Sequence, residues 1–550
     1  MEERRLKSLT VGAVPIVNGY MERLGIGRIL SGNLAGNGGI PSCEMLLILL
    51  RNLVIEREPI YGISEWASGI HPSLLNLTDE SMSMINDDRM GRSLDALFSA
   101  DRASMLTEIA VCAMREFRIG DGRFHNDTTT ITFSGEYEEA DGSMTSGKKT
   151  PKIARGHNKD HRPDLKQLLM SLTVSSDGSV PVHYRIFDGN TQDVSTHIEM
   201  WECVCRITGK RDFIYVADSK LCVSGTMRYM SEKGGRFITV LPATRREEGW
   251  FRDYLQKNKI NWIRTEIRCS DDKFMTFESP LPSAEGYRII WVWSAWKAEK
   301  DQDARGKIME KAVNAISSLN RKLSGRSRIK TREDLAAKAD LLMSQAKRYL
   351  SYTIHEEETE IFRQSKRGRP GPDTVYVRSV KKRFRITTEP VRENIAYDER
   401  CDGMFPLITN TSLTPEEVLQ NYKYQPRLEK RNEQMKSVYS IMPMLFKRID
   451  RIEAFLFIFF IAMLIEALIE RSVRLSMKTM KIESIPIYHE RKECESPTAD
   501  RLLSIFSNVQ FHRLLNHGKA DEVFQPELSG IQGKILKMME IDPERYVLPD

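Results

Sequence analysis

An aspartate inside a β-branched run constrains this chain more than any other feature. Residues Arg123 to Phe133 read RFHNDTTTITF, and the stretch from Thr128 to Phe133 suits a pleated, half-buried strand. Asp127 stands where such a strand would ordinarily carry another apolar residue, and a carboxylate there costs free energy unless something pairs with it. A second acid follows in DFIYVADSK, residues 212 to 220, where the apolar run from Phe213 to Ala217 leads straight into Asp218. That is the pattern of a buried parallel strand ending in a carboxylate, at the edge where open α/β sheets keep their chemistry. Two acids on neighbouring strands need positive charge between them, which suggests a divalent metal site.

The 550 residues suffice for about three or four domains, and a hydrophobic share of 41% is ordinary for a globular protein. A formal charge of +6 and a pI near 8.7 allow a nucleic-acid partner without requiring one. The eight cysteines are scattered, with no CxxC, which argues against a zinc site and for a reducing compartment. The opening MEERRLKSLT has no apolar run of the kind a secretory signal carries. The most apolar run, AFLFIFFIAMLI from Ala454 to Ile465, is bounded by Glu453 and Glu466. It falls short of the roughly twenty residues that span a bilayer, so a buried core helix is expected, in a cytoplasmic protein with no membrane partner.

Along the chain, residues 1 to 115 read as a helical N-terminal domain, suited to DNA-end binding or dimerisation or simply to packing on the rest. Pro15 opens one helix, an apolar segment from Met45 to Ile55 forms another, and Ser104 to Phe117 a third. From 120 to 244 the pattern turns to strands. After the Asp127 strand and a polar connection come strands at 168–174 and 180–188, joined by the turn residues Ser175 to Ser179. A helix over 196–208 follows, with Thr196 and Glu199 spaced as a capping box and Gly209 at its end. Then come the Asp218 strand, a helix near 225–233 and a strand at 237–241. The order βββαβαβ, with acids on the first and fourth strands, is that of the RNase H-like fold.

Residues 245 to 400 interrupt this order. They hold a strand at 287–293, a long amphipathic helix with Ile308, Ala312, Ile316 and Leu319 on one face, and a helix over 335–349. A basic segment follows, FRQSKRGRPGPDTVYVRSVKKRFRI, whose Lys366, Arg367, Arg369, Lys381, Lys382 and Arg383 can contact phosphates or form a solvated hairpin. Residues 401 to 475 resume the core, and 476 to 550 form a tail, with a helical stretch from Arg501 to Leu515, that carries no readable chemical signal.

A third acid is sought on a helix after the sheet. Thr414, Pro415 and Glu417 make a helix start, and Tyr422, Gln425, Glu429 and Lys436 follow at i, i+3, i+7 and i+14. On one continuous helix these lie within about 60° of each other, although Pro426 would kink it or begin a new one.

Several motifs now combine: HNDTT around Asp127, GHNKDHRPDLKQ at 156–167, DGNTQD at 188–193, VADSK around Asp218, DGMFPLITN at 402–410, and the Tyr422 to Lys436 spacing. In this order, over residues 120 to 475, the chain resembles the DDE transposases of the IS4-like group, most closely the IS1634 family. The fold class expected is α/β, an RNase H-like catalytic core with an inserted α+β domain, preceded by a helical N-terminal domain. The resemblance implies metal-dependent cleavage of DNA at insertion-sequence ends and strand transfer into target DNA. It implies a catalytic, metal-holding triad of Asp127, Asp218 and Glu429, two Mg²⁺ ions with Mn²⁺ as an alternative, and no small-molecule cofactor. Three acids without cysteine or histidine suit such a metal. Double-stranded DNA is the implied partner, bound by a homodimer at the nucleoid.

The family's motif Y-(2)-R-(3)-E-(6)-K maps onto Tyr422, Gln425, Glu429 and Lys436. Glutamine replaces the arginine, with Arg427 nearby as a substitute. The loop residues His157, Lys159, Arg162 and Lys166 are read as DNA contacts, and His125 as a surface or strand-packing residue. Two other readings stay open: a catalytically silent DNA-binding descendant, and a metal-dependent nuclease without strand transfer.

Overall fold

The computed structural model describes residues 4–34, 39–156, 162–191, 196–267, 271–324, 329, 331–424, 428–429, 431–433, 446–488, 492–516 and 519–549. The chain divides into two compact units. The first comprises Met1–Thr239, Thr409–Thr411 and Asn421–Asp550, and the second Val240–Ile408 and Ser412–Gln420.

The first unit opens with a strand, β1 (Arg4–Thr10), in a region read from sequence as helical. Helices follow at Val14–Arg23, Ile26–Asn33, Ser42–Ile55, Ile63–Ser68, Asp87–Ser99 and Arg102–Glu116. Pro15 sits in the first turn of its helix, as expected, where its missing N–H costs nothing. The last helix begins at Asp101, whose carboxylate accepts the Ser104 N–H at 3.1 Å. Helix Ser42–Ile55 is buried from Met45 to Val54, and its Arg51 escapes isolation by donating to Asn18 Oδ1 at 2.7 Å.

Next comes β2 (Arg123–Phe133), matching the strand read from the sequence at both ends. A two-residue hairpin, β3 (Met144–Thr145) and β4 (Lys148–Lys149), precedes β5 (Lys166–Ser175) and β6 (Pro181–Phe187). Helix His197–Thr208 leads to β7 (Ile214–Val216), and helix Ser224–Glu232 to β8 (Arg236–Val240). These strands lie in the order β6-β5-β2-β7-β8. β2 is antiparallel to β5, and β5 to β6, whereas β2, β7 and β8 run parallel. Apart from the small hairpin, the observed order is the βββαβαβ expected. Gly209 ends its helix in the left-handed region, φ 68°, as read from sequence, but Thr196 makes no side-chain cap, so the capping box expected there is absent.

In the second unit, helix Arg246–Lys257 precedes β9 (Ile263–Thr265), β10 (Phe274–Glu278) and β11 (Arg288–Ser294), an antiparallel set. The long helix Ala295–Ser324 buries Ala312, Ile316 and Leu319, the face its periodicity marked. Helix Arg332–Met343 stops short of the 349 end expected, and turns at 344–349 lead from it into a sheet ladder that begins at Leu350. That ladder joins β12 (Leu350–Gln364) and β13 (Tyr376–Pro390) into a long hairpin. Its base packs on the two helices through Leu350 and Ile386. Helix Arg392–Glu399 and β14 (Met404–Thr409) follow, then helix Pro415–Tyr422. Its start is the expected capping box: Thr414 Oγ1 accepts the Glu417 N–H at 3.3 Å, and Glu417 Oε2 accepts the Thr414 N–H at 2.9 Å.

The chain then contributes the central helix of the first unit, Ile449–Thr479. It is long and apolar enough to cross a membrane, yet 94% of its most apolar stretch is buried inside the protein. A buried core helix was the expectation. Tyr184 of β6 stacks on its Phe460, ring centroids 4.9 Å apart, so it runs along the sheet. Two carboxylates late in the helix are buried but paired: Glu466 with Arg57 at 2.8 Å and Glu470 with Arg431 at 2.7 Å.

The last segment holds β15 (Ile485–Pro486), β16 (Glu493–Cys494), β17 (Gln510–Asn516) and β18 (Lys519–Phe524), with helices Ala499–Ser504 and Gly530–Met539. The helix read over 501–515 is thus corrected to a short helix and a strand. β17 is sandwiched between β1 and β18, so the tail closes a sheet with the start of the chain.

Candidate active site

The register of β2 against β7 sets two acids side by side. Arg123 is level with Ile214, Phe124 with Tyr215 and His125 with Val216, and the same register carried two residues further brings Asp127 level with Asp218. β7 stops at Val216, so both carboxylates lie at the open C-terminal edge of the parallel pair. Asp127 is half-buried in a strand whose neighbouring residues, from Phe124 to Asn126 and from Thr128 to Ile131, are all buried. Asn126, on the other face, donates to Ser171 Oγ and Thr173 Oγ1 at 2.9 Å each, and so clamps β2 to β5 beneath the acid. Asp218 accepts the Lys220 N–H at 3.1 Å, and its side chain is 40% exposed. His197, buried, brings Nε2 to 4.0 Å from Asp218 Oδ1, beyond hydrogen-bond reach but close enough to favour the carboxylate whenever the imidazole is protonated.

The third acid comes from a helical segment at 428–429 and 431–433. Leu428 is fully buried in the core, and Arg431 and Asn432 are nearly so, which is one helical face at i, i+3 and i+4. Arg431 anchors that face by donating to Glu470 at 2.7 Å and to the Ser179 carbonyl at 3.3 Å. Asn432 donates to Asp127 Oδ2 at 3.0 Å, tying the segment to β2. Glu429, exposed, is three residues before Asn432 and is therefore its neighbour on the helix surface.

Tyr422 links the three acids. Burial first, and then the charges of Asp218, Glu429 and Asp127, together push its hydroxyl up to about 12. All three carboxylates therefore bear on one phenol. The next aromatic residue, Tyr424, packs its ring at a tilt against His125, centroids 4.8 Å apart, and accepts the Ser179 hydroxyl at 2.9 Å. His125 is fully buried there, in keeping with its reading as strand packing.

Among the described residues no group of three or more His, Cys, Asp or Glu side chains stands close enough to hold a metal ion. The donor set of the three acids is nonetheless oxygen-only, which fits a hard divalent cation. In their present arrangement Asp127 and Asp218 instead accept N–H donors from Asn432 and Lys220.

The other residues singled out from the sequence divide three ways. Gln425, Arg427, Lys436, His157 and Lys159 lie outside the described residues. Arg162 is engaged bidentately by Asp164 at 2.9 and 2.7 Å, and Lys166 by Glu136 at 3.3 Å, so neither is an uncommitted cation. Lys366, Arg367, Arg369, Lys381, Lys382 and Arg383 all lie on the long hairpin, the first three in its exposed turn. Of these, Lys382 is already paired with Glu356 and Glu358. Sequence reasoning missed Asn432, Arg431 and His197. For Asn432 the available signal was its place one turn after Glu429.

A family model described as a domain of unknown function, DUF4277, matches residues 6–111. No curated protein matches the chain. Among solved structures, a piggyBac transposase synaptic complex with hairpin DNA aligns at 9% identity and a TM-score of 0.26, covering 50% of this chain and 60% of that chain. A likeness at that level carries no weight for fold or function.

Proposed function

We propose that this chain is a DDE-type DNA transposase of the IS1634 kind, with an RNase H-like core formed by β2, β5, β6, β7 and β8. The observation that carries the reading is the Asn432 hydrogen bond to Asp127, which ties the Glu429 segment to the strand pair whose register sets Asp127 level with Asp218. The element order and the level placement of the first two acids support it.

Asp127, Asp218 and Glu429 would hold the divalent ions, Mg²⁺ by preference. Such ions, when bound, activate an attacking oxygen and stabilise the leaving oxygen of a phosphodiester. The remaining residues set up the site. Asn432 fixes the rotamer of Asp127, and Arg431 holds the Glu429 segment against the core helix. Tyr422, protonated at neutral pH, can donate to a phosphate oxygen. The substrate is double-stranded DNA, first the element's ends and then the target, handled by a homodimer on the cell's DNA.

The test is cleavage of a labelled duplex carrying the element's own end, with Mg²⁺, by the intact protein and by Asp127→Asn, Asp218→Asn and Glu429→Gln. Each substitution should abolish cleavage and leave end binding intact. Loss of binding in all three would count against the assigned roles. Joining of the cut 3′-OH to a second duplex separates a transposase from a simple nuclease.

A further inference from the structure

The long hairpin has two chemically different faces. In the ladder even-numbered residues pair with even and odd with odd, so each parity lines one face. The even face carries Glu356, Glu358 and Glu360 against Lys382 and Arg378, and these neutralise one another: Lys382 bridges Glu356 and Glu358, and Arg378 pairs with Glu360. The base of this same face, Leu350, Ile354, Phe384 and Ile386, packs on the two helices beneath. The odd face is built otherwise. Lys381, Arg383 and Arg385 project from alternate positions of β13, and Arg363 lies further along on β12 opposite Val377. Against them stand only Glu357 and, at the base, Glu389. Among the described residues none of the four cations has an ion pair within bridging distance, in contrast to the even face.

We infer that the odd face of this hairpin is a binding surface for duplex DNA, laid along the phosphate backbone with Lys381, Arg383, Arg385 and Arg363 toward it. The inference rests on the transposase reading for the identity of the anion. Alternate residues of a strand recur about every 6.8 Å, so the stripe from Arg385 to the level of Arg363 extends about 27 Å, rather less than one duplex turn of about 34 Å. A polyanion of regular charge spacing is the complement of such a stripe. Thr359 lies opposite Lys381 and Ser379 one step further along, small hydroxyl side chains that let a backbone approach closely. The exposed turn beyond the ladder carries Lys366, Arg367 and Arg369. On the even face both cations are already paired with glutamates, so the uncommitted positive charge of the ladder lies on the odd face. Lys382, grouped with its neighbours when only the sequence is read, is thereby removed from the DNA surface.

The experiment measures binding of the full chain to a fluorescently labelled duplex of unrelated sequence across a salt series. Lys381→Gln, Arg383→Gln and Arg385→Gln together should make the slope of log K against log salt shallower by about 2.7, at about 0.9 for each phosphate no longer neutralised. The even-face pair Arg378→Gln and Lys382→Gln should leave the slope as in the wild type, as should the charge-preserving triple Lys381→Arg, Arg383→Lys and Arg385→Lys. A wild-type slope in the odd-face triple, from a protein that still binds and cleaves DNA, overturns the surface and leaves the transposase reading standing. An intact protein that binds no duplex overturns both. Binding of polyglutamate that is lost in the triple, while duplex binding is unchanged, overturns DNA as the occupant in favour of an acidic protein.

Discussion

Asn432 and Tyr422 show how much of the site depends on residues that are not themselves acids. Asn432 is the donor that holds Asp127, so Asn432→Leu should lower the cleavage rate by about 10- to 100-fold, the usual cost of losing an orienting partner, while duplex binding stays unchanged. Single-turnover cleavage beside a binding isotherm checks this. Tyr422 makes a pH prediction. Burial first, then the three carboxylates, all raise its hydroxyl, to about 12, so it stays protonated across the working range. Tyr422→Phe should therefore lower the rate by the same factor at every pH from about 6 to 9, with no limb of the profile removed. Asp127 was legible in the sequence because a carboxylate in a Thr-rich strand contradicts its surroundings. Asn432 was not, because its partner is 305 residues away and an asparagine in a polar helix contradicts nothing.

Elements were read well where local pattern decides them. β2 and the helix over 14–23 follow from β-branched runs and a proline start, and both formed as expected. The long hairpin shows the limit. Its basic strand was visible, but the acidic strand Glu356 to Glu360 that neutralises half of it acts only through a ladder whose register the sequence does not print. The Glu429 segment depends on a similar distant pairing, between Arg431 and Glu470, both nearly fully buried. Arg431→Met would strand the Glu470 carboxylate, with Arg474 at 3.5 Å as partial compensation. A loss of about 3 kcal/mol in denaturant unfolding is expected, at the low end for breaking a buried pair. Arg431→Met combined with Glu470→Leu should recover most of it, because no buried charge is then left alone. An additive double variant would mean that the pair does not hold the segment.

At the scale of the whole molecule, the stability of the first unit against pH reflects two buried groups that oppose each other. Burial lowers His183, helped by the charges of Arg185 and Arg206, to about 4. Its contribution is complete above the ordinary histidine value of about 6.5 and is lost as pH falls toward 4. Burial lifts Glu466 to about 7, outweighing the pull of Arg57, while Asp500 raises it and Arg431 lowers it. Its contribution is complete below about 4.5 and is lost as pH rises through 7. Each shift corresponds to about 3 kcal/mol, and between about 4.5 and 6.5 the two slopes cancel. In the wild type these two contributions offset each other over that window, and single variants should uncover the parts. Relative to the wild type, His183→Gln should become less stable as pH rises over that window, and Glu466→Gln more stable. Urea unfolding at several pH values decides it. Parallel curves for the wild type and both variants would mean that neither group titrates differently in the folded and unfolded chain.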